Sequence, residues 1–176
     1  MKIGIISDIH GYPHVLKKAL HIFKDCSVIL CAGDVLYHGP RNPILEGYDP
    51  KTLANIIKES PIPLIMAKGN CDSDVDSTIL GLPFMEYVFY EVDGTRFIVN
   101  HGDKLLKEEL IDLAKYYRAN VVIKGHTHIR ENEIVDGIHY INPSSPILPK
   151  DNNLGSVAIY ENGNVEFIDI KENTNE

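Results

Sequence analysis

Cysteine is scarce in this chain. Cys26, Cys31 and Cys71 are odd in number and form no CxxC pair, which excludes a disulfide framework. A reducing cytoplasm is the compartment that fits such usage. Long apolar runs are missing as well. None reaches about 18 residues, so no membrane partner is expected. The opening stretch, Met1 to Asp8, turns charged before a signal-peptide core could form. Basic residues are in the minority, 17 against 25 acidic ones, for a formal net charge of −8. An excess of that sign lacks the electrostatic footprint of a general nucleic-acid binder, and no stable nucleic-acid complex is expected. Tandem repeats, low-complexity blocks and Gly/Ser linkers are also lacking. The 176 residues are therefore read as a single domain spanning 1–176, with 171–176 as a flexible tail.

Five short aliphatic runs stand out against this background, and each ends in polar, metal-capable residues. Ile3–Ile6 leads to Asp8 and His10. Val28–Ala32 leads to Gly33-Asp34. Leu64–Ala67 leads to Gly69-Asn70. Phe97–Val99 leads to His101, and Val121–Ile123 to Gly125-His126. Such runs read as buried strands. Between them lie helical patterns. Pro13 suits a first helical position, followed by Val15, Leu16, Ala19, Leu20 and Phe23 on one face. Asp49-Pro50 opens a second helix through Leu53, Ile56 and Ile57, and Leu106 to Tyr117 carries a third. Asp93-Gly94, Asp136-Gly137 and Asn162-Gly163 each mark a hairpin in the second half. Strand-helix-strand units followed by antiparallel strands fit a four-layer α-β-β-α sandwich, two stacked mixed sheets flanked by helices.

The polar marks share a position, because loops at the carboxyl ends of strands build the ligand crevice of open α/β sheets. They also share a chemistry. Asp8, His10, Asp34, Asn70, His101, His126 and His128 amount to two carboxylates, one amide and four imidazoles. Seven ligands with one bridging carboxylate fill two metal sites, and Asp34, beside Gly33, is the natural bridge. Two divalent ions outweigh two aspartates and a hydroxide, which leaves a positive site suited to a phosphate ester. Paired ions of this kind activate water and clamp both oxygens of an in-line displacement.

Asp8-Ile9-His10, Gly33-Asp34, Gly69-Asn70, His101-Gly102 and Gly125-His126-Thr127-His128 resemble, in order, the five motifs of the calcineurin-like metallophosphoesterases. The longer stretches Gly33–Asn42, Glu46-Gly47-Tyr48 and Gly69–Ser73 resemble the small bacterial YfcE-type phosphodiesterases. The resemblance runs from Lys2 to about Pro149. It implies Asp8, His10 and His128 on one metal, Asn70, His101 and His126 on the other, and Asp34 between them. It implies manganese, with nickel, cobalt, iron or zinc also compatible with mixed N/O ligation. It implies a small phosphodiester substrate, cleaved by attack of a metal-bridging hydroxide, and self-association as a homodimer or homotetramer. His38 and Arg41, in the loop after the bridge, are candidates to touch substrate phosphate. Asp72, Asp74 and Asp76 are candidates to orient ligands.

Three positions depart from the family pattern. Cys71 stands where many relatives carry a histidine that assists the leaving group or steadies phosphate charge. A neutral thiol there removes a cation, which hurts dianionic monoesters more than monoanionic diesters. Asp103 replaces a second histidine, and Ser144 stands where relatives often have glycine. Two other functions share the fold: a phosphomonoesterase or phosphatase on the same site, and a retromer-subunit-like protein-binding scaffold with a degraded site. The seven intact ligand positions favour the enzyme.

Overall fold

The computed structural model describes residues 1–151 and 154–170; the expected tail at 171–176 lies outside them. The five aliphatic runs form strands β1 (Lys2–Ile6), β2 (Val28–Cys31), β3 (Leu64–Met66), β5 (Thr95–Val99) and β6 (Val121–Ile123). The three Asx-Gly signals close the hairpins that join β4 (Val88–Val92) to β5, β7 (Arg130–Val135) to β8 (Ile138–Pro143), and β9 (Ser156–Glu161) to β10 (Asn164–Asp169). Both residues of each pair have positive φ, from 50° at Asp93 to 84° at Gly163. This is the twist-matched turn that Asx-Gly favours.

The strands assemble in two five-stranded sheets, ordered β10-β9-β1-β2-β3 and β4-β5-β6-β8-β7. β1, β2 and β3 are parallel in the first sheet, and β5, β6 and β8 in the second. Helices α1 (Pro13–Ile22), α2 (Pro50–Lys58) and α3 (Asp74–Leu80) accompany the first sheet, and α4 (Lys107–Tyr116) the second. The period-2 alternation of β1 sends Ile3 and Ile5 between the sheets and Ile6 toward α1. Three cores result. One lies between the first sheet and its helices, through Leu16, Phe23, Ile29 and Leu53. One lies between the sheets, where Phe97 meets Tyr160 edge-on with ring centroids 5.0 Å apart. One lies between the second sheet and α4, through Ile98, Leu110 and Tyr140. Each fully buried aliphatic side chain contributes about 1.5–3 kcal/mol. Three cores separate four layers, as expected.

Helix α1 keeps the Pro13 start, and the Asp49 carboxylate caps α2 by accepting from Thr52 N at 3.0 Å. The sequence reading has no counterpart for α3, and it marks β7 only through the Asp136-Gly137 turn. Only Asp76 and Leu80 of α3 are buried, so no apolar stripe announces it. Its signals are local: a Ser73/Asp76 capping box and a left-handed Gly81 at its end. β7 is an edge strand of charged residues, Arg130-Glu131-Asn132-Glu133, which blunt an open edge and hide it from a hydrophobicity reading. No helix among the described residues is long and apolar enough to cross a membrane.

Candidate metal centre

The carboxyl ends of β1, β2, β3, β5 and β6 meet where the two sheets abut. Backbone bonds fix the junction: Asp8 N donates to Gly33 O at 2.9 Å, and His10 N to Asp34 O at 3.0 Å. Side chains tie one sheet to the other. Ser145 Oγ donates to Asp8 O at 2.7 Å, and His126 N to Asp8 Oδ2 at 3.0 Å. The approach is so close that a Cβ on Gly125 would collide with Ser7 and Asp8, and one on Gly69 with Asp34.

Five of the seven expected ligands sit in left-handed backbone: Asp8, His10, Asp34, His126 and His128, with φ between 51° and 68°. Non-glycine residues adopt this region at a cost of about 1–2 kcal/mol each. Such strain persists where the surroundings over-determine it, and it clusters at functional sites. Here it turns five side chains inward from chain ends that would otherwise point along the strands.

The hydrogen-bond pattern leaves particular atoms available. The Nδ1 atoms of His10, His101 and His128 lie 2.9, 2.7 and 2.6 Å from the carbonyl oxygens of Tyr37, Ala32 and Leu148. A carbonyl accepts only from N–H, so each Nδ1 carries a proton and each Nε2 is the atom that faces the site. His10 Nε2 and His128 Nε2 face each other at 3.2 Å. Asp8 Oδ1 lies 3.2 Å from His128 Nε2 and 3.7 Å from His10 Nε2. It is buried without a hydrogen-bond partner, whereas Oδ2 is held by Ser7 and His126. Three converging electron-pair donors around one buried point need a cation between them.

A second convergence lies alongside. Asn70 Oδ1 lies 2.8 Å from His126 Nδ1 and 3.1 Å from His101 Nε2. Asp34 Oδ2 stands between the two sets, 3.3 Å from His101 Nε2 and 3.9 Å from His10 Nε2, while Oδ1 accepts from Cys71 N at 2.8 Å. In geometric terms, ligand atoms of Asp8, His10 and His128 lie within 4.8 Å of one another, as do those of Asp8, Asp34 and His101, and those of His10, Asp34 and Cys71. The residues fit divalent cations.

The electrostatics agree. Burial alone would raise the pKa of Asp8, but contact with His128 and the charges of His101 and His10 hold it well below the usual carboxylate range. Burial likewise opposes ionisation of Asp34, and His101 outweighs it, so Asp34 also titrates low. Burial disfavours charge on His101, yet Asp34 and Asp8 lift it to about 9. Both carboxylates are therefore anionic at neutral pH and pull positive charge inward.

Of the three acidic candidates for outer positions, one serves the site. Asp72 accepts from the backbone N–H groups of Asp34, Val35 and Gly69, each at 2.8 Å. It thereby fixes the β2 and β3 loops against each other. Burial pushes its pKa up to about 6, while those donors favour the carboxylate. Asp74 is on the surface with Lys68 at 2.6 Å, and Asp76 belongs to the α3 cap. Cys71 lines the cavity, and burial together with the Asp34 charge raises its thiol to about 12, so it is neutral. Ser144 has φ of 70°, a conformation that favours glycine. Its hydroxyl donates to His128 O at 2.8 Å, a bond glycine cannot make. Asp103 does not line the cavity; its charge reaches His126.

The cavity over the ligands measures about 380 Å³. Arg41 lines it. His38 does not: its ring packs edge-on against Tyr48, centroids 5.2 Å apart. Tyr37 and Asn42, within the Gly33–Asn42 stretch, line it too, and so does Lys150, which no motif announces.

Residues 1–164 match the calcineurin-like phosphoesterase superfamily domain. The chain belongs to that superfamily. Phosphodiesterase YfcE of Escherichia coli K12 is 33% identical over 177 residues, which cover 98% of this chain and 94% of the relative. The solved structure of that E. coli phosphoesterase superposes with a TM-score of 0.85 at 30% identity, covering 97% of this chain and 93% of that one. The structure of Entamoeba histolytica Vps29 complexed with zinc shares the fold, with a TM-score of 0.69 at 20% identity, covering 97% of this chain and 100% of that one.

Proposed function

We propose that this chain, as one domain over its whole length, is a phosphodiesterase that works with two divalent ions. Asp8, His10 and His128 would hold one ion, Asn70, His101 and His126 the other, and Asp34 would serve both. The observation that carries this reading is the pair of Nε2 atoms and the unpartnered Asp8 Oδ1 that face one buried point beside Asp34. Bound there, the ions supply an activated water and polarise the phosphate oxygens. The protein's own groups do the rest. Backbone carbonyls bond the Nδ1 atoms of three imidazoles and hold their rings toward the site. Asp72 holds the Asp34 loop. Arg41 offers a planar fork to a phosphate oxygen.

Diesters are favoured over monoesters because Cys71 puts a neutral thiol beside the ligands, where a histidine would add a cation for the second charge of a monoester. Manganese is the proposed metal, although the N/O donor set admits nickel, cobalt, iron or zinc. A small soluble substrate in the cytoplasm suits a compact cavity on an acidic chain. Self-association as a homodimer or homotetramer belongs to the same proposal, through the exposed Phe89–Tyr117 pair at edge strand β4.

Chelator-stripped protein with manganese restored is expected to cleave bis-p-nitrophenyl phosphate faster than p-nitrophenyl phosphate. A reversed order overturns the diester preference. Absence of hydrolysis with manganese, nickel, cobalt or zinc, in protein shown to be folded, overturns catalysis and favours the scaffold reading.

A further inference from the structure

The rim of the cavity carries charge that the metal chemistry leaves unused. Its lining has one carboxylate, Asp34, and two permanent cations, Arg41 and Lys150. Asp34 is committed to the metal ligands. Neither cation has an ion-pair or hydrogen-bond partner for its side chain among the described residues. In a chain of net charge −8, two cations without a carboxylate partner thus face the same cavity, above ligands that are themselves set for cations.

Lys150 is also held in place. Its N–H donates to His128 O at 2.9 Å. Two residues earlier, Leu148 O receives His128 Nδ1 at 2.6 Å, and one residue later Asp151 accepts from Arg130 N at 3.0 Å. The loop segment after β8 that orients a ligand imidazole thus also anchors the Lys150 backbone. An ammonium is a point charge suited to phosphate. Arg41 comes from a different loop, the one after β2, and serves the phosphate over the ions.

We propose that Lys150 is a specificity residue that binds a second phosphate group carried on one arm of the substrate. The inference rests on the phosphodiesterase reading above and names its substrate class: a diester with a further phosphate within reach of the rim. A substrate of that class is bound at two points, by the ions at the scissile group and by Lys150 at the second.

The test is calorimetric titration of the manganese-loaded protein with thymidine 5′-monophosphate and with thymidine 3′,5′-bisphosphate. The bisphosphate is expected to bind at least about fivefold more tightly, the scale of one exposed charge-assisted hydrogen bond. In Lys150→Ala the ratio of the two dissociation constants is expected to fall to about one, and in Lys150→Arg to persist, since the charge is kept. A merely structural role for Lys150 would weaken both ligands together and leave the ratio alone. A preference that survives Lys150→Ala, or its absence in the unsubstituted protein, overturns the inference. Bis-p-nitrophenyl phosphate is assayed on the same preparations. No cleavage there sinks the phosphodiesterase reading; cleavage without a Lys150-dependent ratio sinks only this one.

Discussion

Asp34→Asn is expected to lower manganese-dependent cleavage of bis-p-nitrophenyl phosphate by more than about 100-fold, beyond the cost of losing an outer partner of a metal ligand. The reasoning is atomic. Asp34 Oδ1 accepts from Cys71 N, and an amide oxygen can do the same. Oδ2 alone looks toward His101 on one side and His10 on the other. Replacing it with an NH₂ removes the one electron pair shared by both ligand sets and puts protons there instead. Folding should survive, because the amide keeps the shape and the loop bond. The check is a rate assay beside a thermal melt of chelator-treated protein. Full activity in the variant would mean that Asp34 bridges nothing.

Asp72→Ala is the change with the largest expected cost in stability, about 3 to 5 kcal/mol, because three N–H groups at 2.8 Å lose their acceptor together. Two of those donors belong to Asp34 and Val35, so the bridging segment loses its brace as well. Metal affinity should fall by about 10–100-fold in whatever protein still folds. Asp72→Asn keeps one accepting oxygen and turns an NH₂ toward the other donors, so it should fall between the parent and Asp72→Ala. A urea denaturation series on the chelated proteins reads the stability; a manganese titration reads the affinity. Parent-like midpoints for Asp72→Ala would show that water replaces the carboxylate and that the loops need no brace.

The parts of this site that could be read in the sequence are those where chemistry restricts residue type. Metal ligands must be Asp, Asn or His, and an open sheet exposes them only where strands end, so Asp8, Asp34, Asn70, His101 and His126 mark their strands. The hairpins were equally legible, because two adjacent positive φ angles admit few residues besides Asx-Gly. Lys150 was not legible. It reaches the rim because the chain turns back after β8 and bonds to His128, and no local pattern records that return. Asp72 was one of three similar aspartates, and only the position of the backbone donors separates it from Asp74 and Asp76. His38 and Arg41 looked alike as loop residues near the bridge, yet the packing of His38 on Tyr48 leaves Arg41 to face the cavity. α3 escaped because it buries too little, and β7, polar from Arg130 to Glu133, was marked only by the turn that follows it.

The central claim is that seven side chains hold two ions joined through Asp34. Electron paramagnetic resonance of the manganese-loaded protein, with the metal content per chain measured on the same sample, tests it most directly. The account predicts two manganese ions per chain and an exchange-coupled spectrum that gives way to isolated ions in Asp34→Asn. One ion per chain, or two that show no coupling, would contradict it.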